Sequence, residues 1–398
     1  MSRLEELIQQ YCPDGVEHKK IKEVYQRIKG TPITAGKMKE IQCPTGEIRI
    51  FAGGKTVIDA NEADIPNANI TRVPAVLVQS RGVIDAIYYD KPFTFKNEMW
   101  AYTHKEQISV KFLYYVMKQN IQHFRDAASG MGALPQISLG TTEDFVIPVP
   151  PLPVQEEIVR ILDIFAELQA ELQAELQKRL QQYEYYKWNV FERLSCPTKH
   201  ITDVALVKAR VGWQRLTTAE YQSSGDYYLI TGTDFKNGKI DFGNCVYVSK
   251  ERYEMDPNII VGKGDILITK DGTLGKVAFL EAEPNKPTTL NSGVFRIHTT
   301  DPNVSPRYLF HYFTSKYFTD FVDSVKTGST IPHLTQQGLV SLNIPIPPLE
   351  EQNRAVAILD RFEELTADIT AGLPAEIEAR RKQYEYYRDQ LLTFKHKA

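Results

Sequence analysis

The sequence predicts an α/β protein of the α+β kind built as an internal tandem repeat. Two similar mixed domains are each followed by a long helix, and the two helices pair as a coiled coil. Three observations predict this. Residues 147–168 read IPVPPLPVQEEIVRILDIFAEL and residues 344–365 read IPIPPLEEQNRAVAILDRFEEL, so Pro150-Pro151-Leu152, Gln155, Ile161-Leu162-Asp163 and Phe165 return 197 residues later. Gln182-Tyr183-Glu184-Tyr185-Tyr186 returns as Gln383-Tyr384-Glu385-Tyr386-Tyr387 at a shift of 201. Behind each proline pair runs an apolar stripe stepping by threes and fours, the period of a helix.

Taken in order, the chain opens on an amphipathic helix, MSRLEELIQQY, that runs to Gln10 and reads as a helix start rather than a secretory leader. A turn follows at Cys12-Pro13-Asp14-Gly15. The run IRIFAGGKTVIDA reads as strand, tight turn at Gly53-Gly54, and strand. Val73 to Val78 is a buried strand ending at Ser80-Arg81-Gly82, and Ala86 to Tyr89 and Met99 to Tyr102 are further strands. One helix, Val110 to Phe124, closes this region before a turn at Ser129-Gly130-Met131-Gly132.

The first long helix carries its stripe on Ile158, Ile161, Phe165, Leu168, Leu172, Leu176, Leu180, Tyr183, Lys187, Val190 and Leu194. That is roughly 60 Å of helix, too long for an ordinary globular element. Prolines set its start, with Glu156 and Glu157 expected in the first turn, where the helix dipole favours acids. The second domain repeats the plan with strands at Tyr227–Ile230, Asp265–Ile268 and Val294–Ile297. Its Arg307 to Tyr312 segment matches Lys111 to Val116 in character. The second long helix carries Gly372-Leu373-Pro374, which predicts a kink or break there, with Pro374 suited to opening a new segment.

Composition narrows the function. The net charge is −3 and the pI about 6.3. Residues 154–194 hold 5 bases against 8 acids and residues 349–398 hold 8 against 10, so the acidity belongs to the helices and the domains are weakly basic. Neither domain is basic enough to hold DNA through phosphates alone. The four cysteines are scattered, without metal-ligand spacing, and read as reduced thiols of an intracellular protein. No apolar run reaches membrane-spanning length, so the expectation is a soluble, cytoplasmic protein without membrane contact.

The sequence carries none of the common catalytic motifs. Gly53-Gly54-Lys55-Thr56 lacks the glycine that a phosphate loop requires five residues before Gly54, where Arg49 stands. The histidines never pair at ligand spacing, and neither a dinucleotide fingerprint nor a methyltransferase or hydrolase motif is present. Asp234, Asp265 and Asp271 sit among glycines and read as turn residues.

With two variable α/β regions, each ending in Pro-Pro-Leu-x-x-Gln, Ile-Leu-Asp and Gln-Tyr-x-Tyr-Tyr, the chain resembles the specificity subunit of type I restriction–modification systems. It is similar to the subgroup with a four-residue repeat in the central helix, here Ala166-Glu167-Leu168-Gln169 and its two successors. The resemblance implies target recognition domains at residues 1–148 and 195–345, a central spacer helix at 149–194 and a distal one at 346–398, the helices antiparallel. It implies a non-catalytic reader of a bipartite, asymmetric site in double-stranded DNA. Two methyltransferase subunits and restriction endonuclease/translocase subunits would dock on it. S-adenosylmethionine, ATP and Mg would belong to those partners, and this chain would carry no cofactor or metal.

Base contacts are expected from polar and basic side chains in glycine turns, which can enter a groove. These are Thr31, Lys55, Arg81, Lys96 and Asn97 in the first domain. In the second they are Trp213, Gln214, Thr233, Lys270, Thr273, Lys276 and Asn291. Two other readings stand beside this one: an architectural DNA-binding protein without enzyme partners, and a coiled-coil adaptor that binds only proteins.

Overall fold

The computed structural model describes residues 2–54, 56–129, 134–192, 196–211, 216–328, 332–367 and 372–397. The chain divides into two compact units, residues 1–171 with 377–398, and residues 172–376.

In the first unit α1 (Arg3–Tyr11) is closed by a capping box, in which Ser2 Oγ accepts from Glu5 N while Glu5 accepts from Ser2 N. Then come β1 (Glu17–Lys20), α2 (Ile21–Val24), β2 (Gln26–Ile28), α3 (Ala35–Ile41), β3 (Ile48–Phe51) and β4 (Val57–Ala60). They are followed by β5 (Ala75–Gln79), β6 (Asp85–Tyr89), β7 (Phe93–Phe95), β8 (Trp100–Thr103), α4 (Gln107–Gln119), α5 (Ile121–Asp126), α6 (Leu139–Glu143) and β9 (Val146–Val149). A four-stranded sheet has the order β2-β8-β5-β6, a three-stranded sheet the order β4-β3-β7, and β1 pairs with β9.

Strand β5 explains why its sequence is apolar without alternation. Val76 and Val78 enter the core that holds Phe112, Leu113 and Val116 of α4. Ala75 and Leu77 enter a second core with Phe51, Phe93 and Phe95 of the smaller sheet. Both faces are covered, so every position is buried. The single helix expected over Val110–Phe124 is two helices. Asn120 leaves helical geometry, and both its N–H and its Nδ2 donate to Val116 O, which ends α4.

The second unit contains β10 (Thr198–His200), α8 (Ile201–Val204), β11 (Ala205–Ala209), β12 (Tyr227–Ile230), β13 (Phe235–Lys236), β14 (Lys239–Ile240), β15 (Val246–Val248) and α9 (Lys250–Glu254). It continues with β16 (Ile266–Thr269), β17 (Val277–Phe279), β18 (Thr288–Leu290), β19 (Val294–Thr299), α10 (Pro306–Phe313), α11 (Lys316–Val325), α12 (Gln336–Val340) and β20 (Asn343–Pro345). Its sheets have the orders β11-β19-β16-β17 and β15-β12-β18, with β10 paired to β20. Strand for strand this is the first unit again, down to the parallel pairing of β3 with β7 and of β12 with β18. The β13–β14 hairpin is an addition.

The long helices are α7 (Leu152–Glu192), α13 (Leu349–Ala367) and α14 (Leu373–Leu391). Because α7 begins at Leu152 with Pro153 in its first turn, Glu156 and Glu157 lie one turn further in than expected. Along the stripe Leu180 is exposed while Leu168, Leu172 and Leu176 are half-buried, and Leu194 lies outside the described residues. The expected interruption at Gly372-Leu373-Pro374 is a break: α13 ends at Ala367 and α14 opens at Leu373 with Pro374 in its first turn.

The repeated motifs now have physical roles. Gln155 and Gln352 reach back to the carbonyls of Pro150 and Pro347 at 2.7 and 2.8 Å, fixing the proline segment to the helix it starts. In the first unit Phe165 meets Tyr384 and Tyr387, and in the second Phe362 stacks with Tyr183 and Tyr186. Each phenylalanine of one repeat takes the tyrosines of the other. Along α7 the partners run from late residues to earlier ones, the order of an antiparallel coiled-coil pairing.

Candidate nucleic-acid interface

In each unit loops from both sheets are tied together at one end of the four-stranded sheet. In the first unit these are the β3–β4 turn, the β5–β6 and β7–β8 loops, and the segment before α6. Gln79 Nε2 donates to Gly54 O at 2.6 Å, and Gly54 N to Arg81 O at 3.3 Å. Ser80 Oγ donates to Glu98 O, and Ile137 N to Ser80 O at 2.9 Å. Gly54 (φ +75) and Gly82 (φ +80) hold left-handed backbone that a side chain would strain. Together with α3 the loops border an open cavity of about 750 Å³ whose lining includes Met38, Gly53, Gly54, Arg81, Lys96 and Glu98.

Of the residues expected here, Arg81 and Asn97 are exposed on these loops. Lys96 is half-buried and paired to Glu98 at 3.0 Å. Burial works to raise the Glu98 carboxyl, but the Lys96 ammonium and the Gly53 N–H outweigh it and hold it below its ordinary value. Thr31 must be corrected. It is fully buried, and its hydroxyl is shared with Thr94 at 2.7 Å while accepting from Asn69 N at 2.9 Å. A hydroxyl so engaged is part of the frame and has nothing left to offer a groove. Lys55 lies outside the described residues.

The second unit repeats the arrangement. The β16–β17 loop is held to the β18–β19 loop by Lys270 N donating to Gly293 O at 2.9 Å, and to the following segment by Leu334 N donating to Lys270 O at 3.0 Å. Thr233, Thr273 and Lys276 are exposed, with the Thr233 hydroxyl 2.7 Å from that of Thr231. Lys270 is half-buried with its ammonium 5.3 Å over the Phe295 ring. Asn291 turns its Oδ1 to Gly293 N at 2.7 Å, so its first duty is to shape its own loop. Trp213 and Gln214 lie outside the described residues.

Sequence reasoning missed several residues. Asp265 is no ordinary turn aspartate: it is fully buried and accepts from Arg296 Nε and His298 Nδ1, both at 2.7 Å. Arg210 is buried at the end of β11, where Nε donates to Leu290 O and burial lowers the guanidinium's pKa. Asp271 and His333 join two loops of the cluster through a contact of 2.5 Å. Only His333 left a trace in the sequence, since it stands 197 residues after Gln136, whose backbone pairs with Arg81.

Among the described residues one group has metal-ligand chemistry, His311 with Asp360 and Glu363. Arg307 already supplies the cation there, 2.8 Å from Asp360 and 2.7 Å from Glu363, so the group is an ion-pair network that docks α10 on α13. Among the described residues no helix is long and apolar enough to cross a membrane.

The family model described as the type I restriction modification DNA specificity domain matches twice, over residues 13–182 and 198–379. A putative type I restriction enzyme specificity subunit of Haemophilus influenzae is 36% identical over 318 residues, covering 75% of this chain and 77% of that protein. A type I restriction enzyme specificity subunit of Escherichia coli is 31% identical over 292 residues, covering 72% and 71%. The crystal structure of the type I system S subunit from M. genitalium superposes with a TM-score of 0.55 at 16% identity over 94% of both chains, a likeness of fold.

Proposed function

The chain belongs to the type I restriction–modification DNA specificity family, and we propose that it reads a bipartite, asymmetric sequence in double-stranded DNA, one half per unit. As a specificity subunit it is the non-catalytic member of its system, and the family's business is DNA sequence recognition. The observation that carries the bipartite reading is the duplicated loop cluster. The same strands hold both clusters, while Arg81, Glu98 and Gln136 in one are replaced by Asp271, Gly293 and His333 in the other. One frame with two sets of side chains suits two different half-sites.

Recognition by this chain is mainly a matter of base edges. Its domains are close to neutral, so phosphate contacts and closure around the duplex fall to two methyltransferase subunits docked on the chain, with restriction subunits joining them. Arg81 and Asn97 in the first unit, and Thr233, Thr273 and Lys276 in the second, are exposed, and this reading assigns groove contacts to them. Lys55, Trp213 and Gln214 belong to the same proposal by sequence position. S-adenosylmethionine, ATP and Mg serve the partners, and the assembly works in the cytoplasm.

The test is a binding measurement with and without the co-expressed methyltransferase, together with sequencing of the methylated DNA. The expected result is weak binding by the chain alone, a steep gain in the complex, and methylation at one split sequence. Tight specific binding by the isolated chain at physiological salt would overturn the division of labour.

A further inference from the structure

In the second unit Asp271 lies where three loops meet. Its Oδ1 is 2.5 Å from His333 Nδ1, which joins the β16–β17 loop to the segment ending at Leu334. On the other side, a Cβ built on Gly293 would stand 3.7 Å from Asp271 Oδ2 and 3.2 Å from Asn291 Oδ1, so the carboxylate also borders the β18–β19 loop. The Asp271 and His333 side chains are 42% and 49% exposed, so this meeting point is open. Asp271 Oδ2 has no hydrogen-bond partner among the described residues. The neighbouring Gly272 has φ +73, which lets the loop turn sharply behind the carboxylate.

We propose that Asp271, held by His333, reads the exocyclic amine of a cytosine or an adenine in the half-site of the second unit. This rests on the base-reading function proposed above and names the chemistry of one position within it. A carboxylate on a DNA-facing loop is repelled by phosphates, so only a donor edge can compensate its loss of water. In the major groove the donors are the N4 amine of cytosine and the N6 amine of adenine, whereas thymine and guanine present oxygen acceptors that a carboxylate rejects. His333 is a positioning residue: by donating from Nδ1 it fixes Oδ1 and leaves Oδ2 as the oxygen without a partner among the described residues. The first unit has Arg81 and Gln136 at the matching positions, joined through their backbones, so the position reads differently there.

The experiment uses the complex with its methyltransferase and reads methylated sites by single-molecule sequencing. Asp271→Asn keeps the acceptor for His333 but puts an amide N–H where Oδ2 was. The methylated sequence should then change at one position of one half-site, away from cytosine or adenine and towards thymine or guanine, by roughly tenfold or more. His333→Asn, which can still donate to Asp271, should keep the letter, and His333→Ala should loosen it. Unchanged letters with Asp271→Asn would overturn the proposal. So would equal loss of binding to every sequence by Asp271→Asn and Asp271→Ala alike, which marks a purely structural contact. If the unsubstituted complex methylates no split sequence, the functional reading itself fails, and that outcome is distinct from both.

Discussion

His311 Nε2 stands 2.6 Å from Asp360 Oδ1, in the place where Tyr115 hydroxyl meets Asp163 at 2.5 Å in the other unit. In both units the aspartate of Ile-Leu-Asp is gripped by a base and a ring from the helix packed against it. The pairs are Lys111 with Tyr115, and Arg307 with His311. The repeat has kept the grip and changed both of its members: arginine for lysine keeps the charge, while histidine takes the place of tyrosine.

That change makes one unit acid-sensitive. Burial lowers the His311 pKa below its ordinary 6.5, and the hydrogen bond to Asp360 opposes this only in part. The unfolded chain therefore takes up the proton first, and stability falls as pH drops through about 6.5. Asp360, held below its ordinary 3.8 by His311 and Arg307 despite its burial, loses its own share only at much lower pH, so the two windows separate. Thermal unfolding should show a lower midpoint at about pH 5.5 than at about pH 7.5. His311→Tyr, which installs the counterpart ring, should flatten that dependence; an equally steep profile would remove His311 as the cause.

Asp163→Ala should destabilise the first unit by about 1–3 kcal/mol, because the largely buried Tyr115 hydroxyl and the Lys111 ammonium lose their acceptor together. Denaturant midpoints would measure this. Asp163→Asn, which keeps an acceptor, should lose less.

Two glycines should respond differently to alanine. A Cβ on Gly30 would come within 2.1 Å of Phe95 O, a backbone atom that also accepts from Thr31 N, so Gly30→Ala should cost about 3 kcal/mol or more. Gly54 has open space around it but φ +75, so Gly54→Ala should cost only about 1 kcal/mol. Equal losses in thermal melts would show that crowding at Gly30 is relieved elsewhere.

If the units read independently, exchanging residues 15–146 for the equivalent region of a relative should change one half-site and leave the other. A methylation pattern altered in both halves would contradict that independence.

The Ala-Glu-Leu-Gln tract is proposed as a spacer. Deleting residues 170–173 shortens α7 by roughly 6 Å while turning it only about 40° past a full circle. One base-pair step is about 3.4 Å. The gap between methylated half-sites should therefore shrink by about one or two base pairs, with the letters of both halves unchanged. An unchanged gap in an active variant would mean that the helices do not set the distance.

By itself the sequence determined the repeat, the long helices, an interruption at Gly372-Leu373-Pro374 and the family. All of these rest on local or periodic signals: proline geometry, a stripe at helical spacing, and motifs that recur intact. It also placed Arg81, Asn97, Thr233, Thr273 and Lys276 on exposed loops, since glycine turns at strand ends are local features. Tertiary structure decided which loop residues are free. Thr31 and Asn291 lie in the same kind of sequence as Arg81, yet one is buried against Thr94 and the other bonded to Gly293. The pairing of Asp271 with His333 joins residues 62 apart, and that of His311 with Asp360 joins residues 49 apart. Partners that far apart in sequence are chosen by strand order and helix packing, which no local pattern of residues encodes.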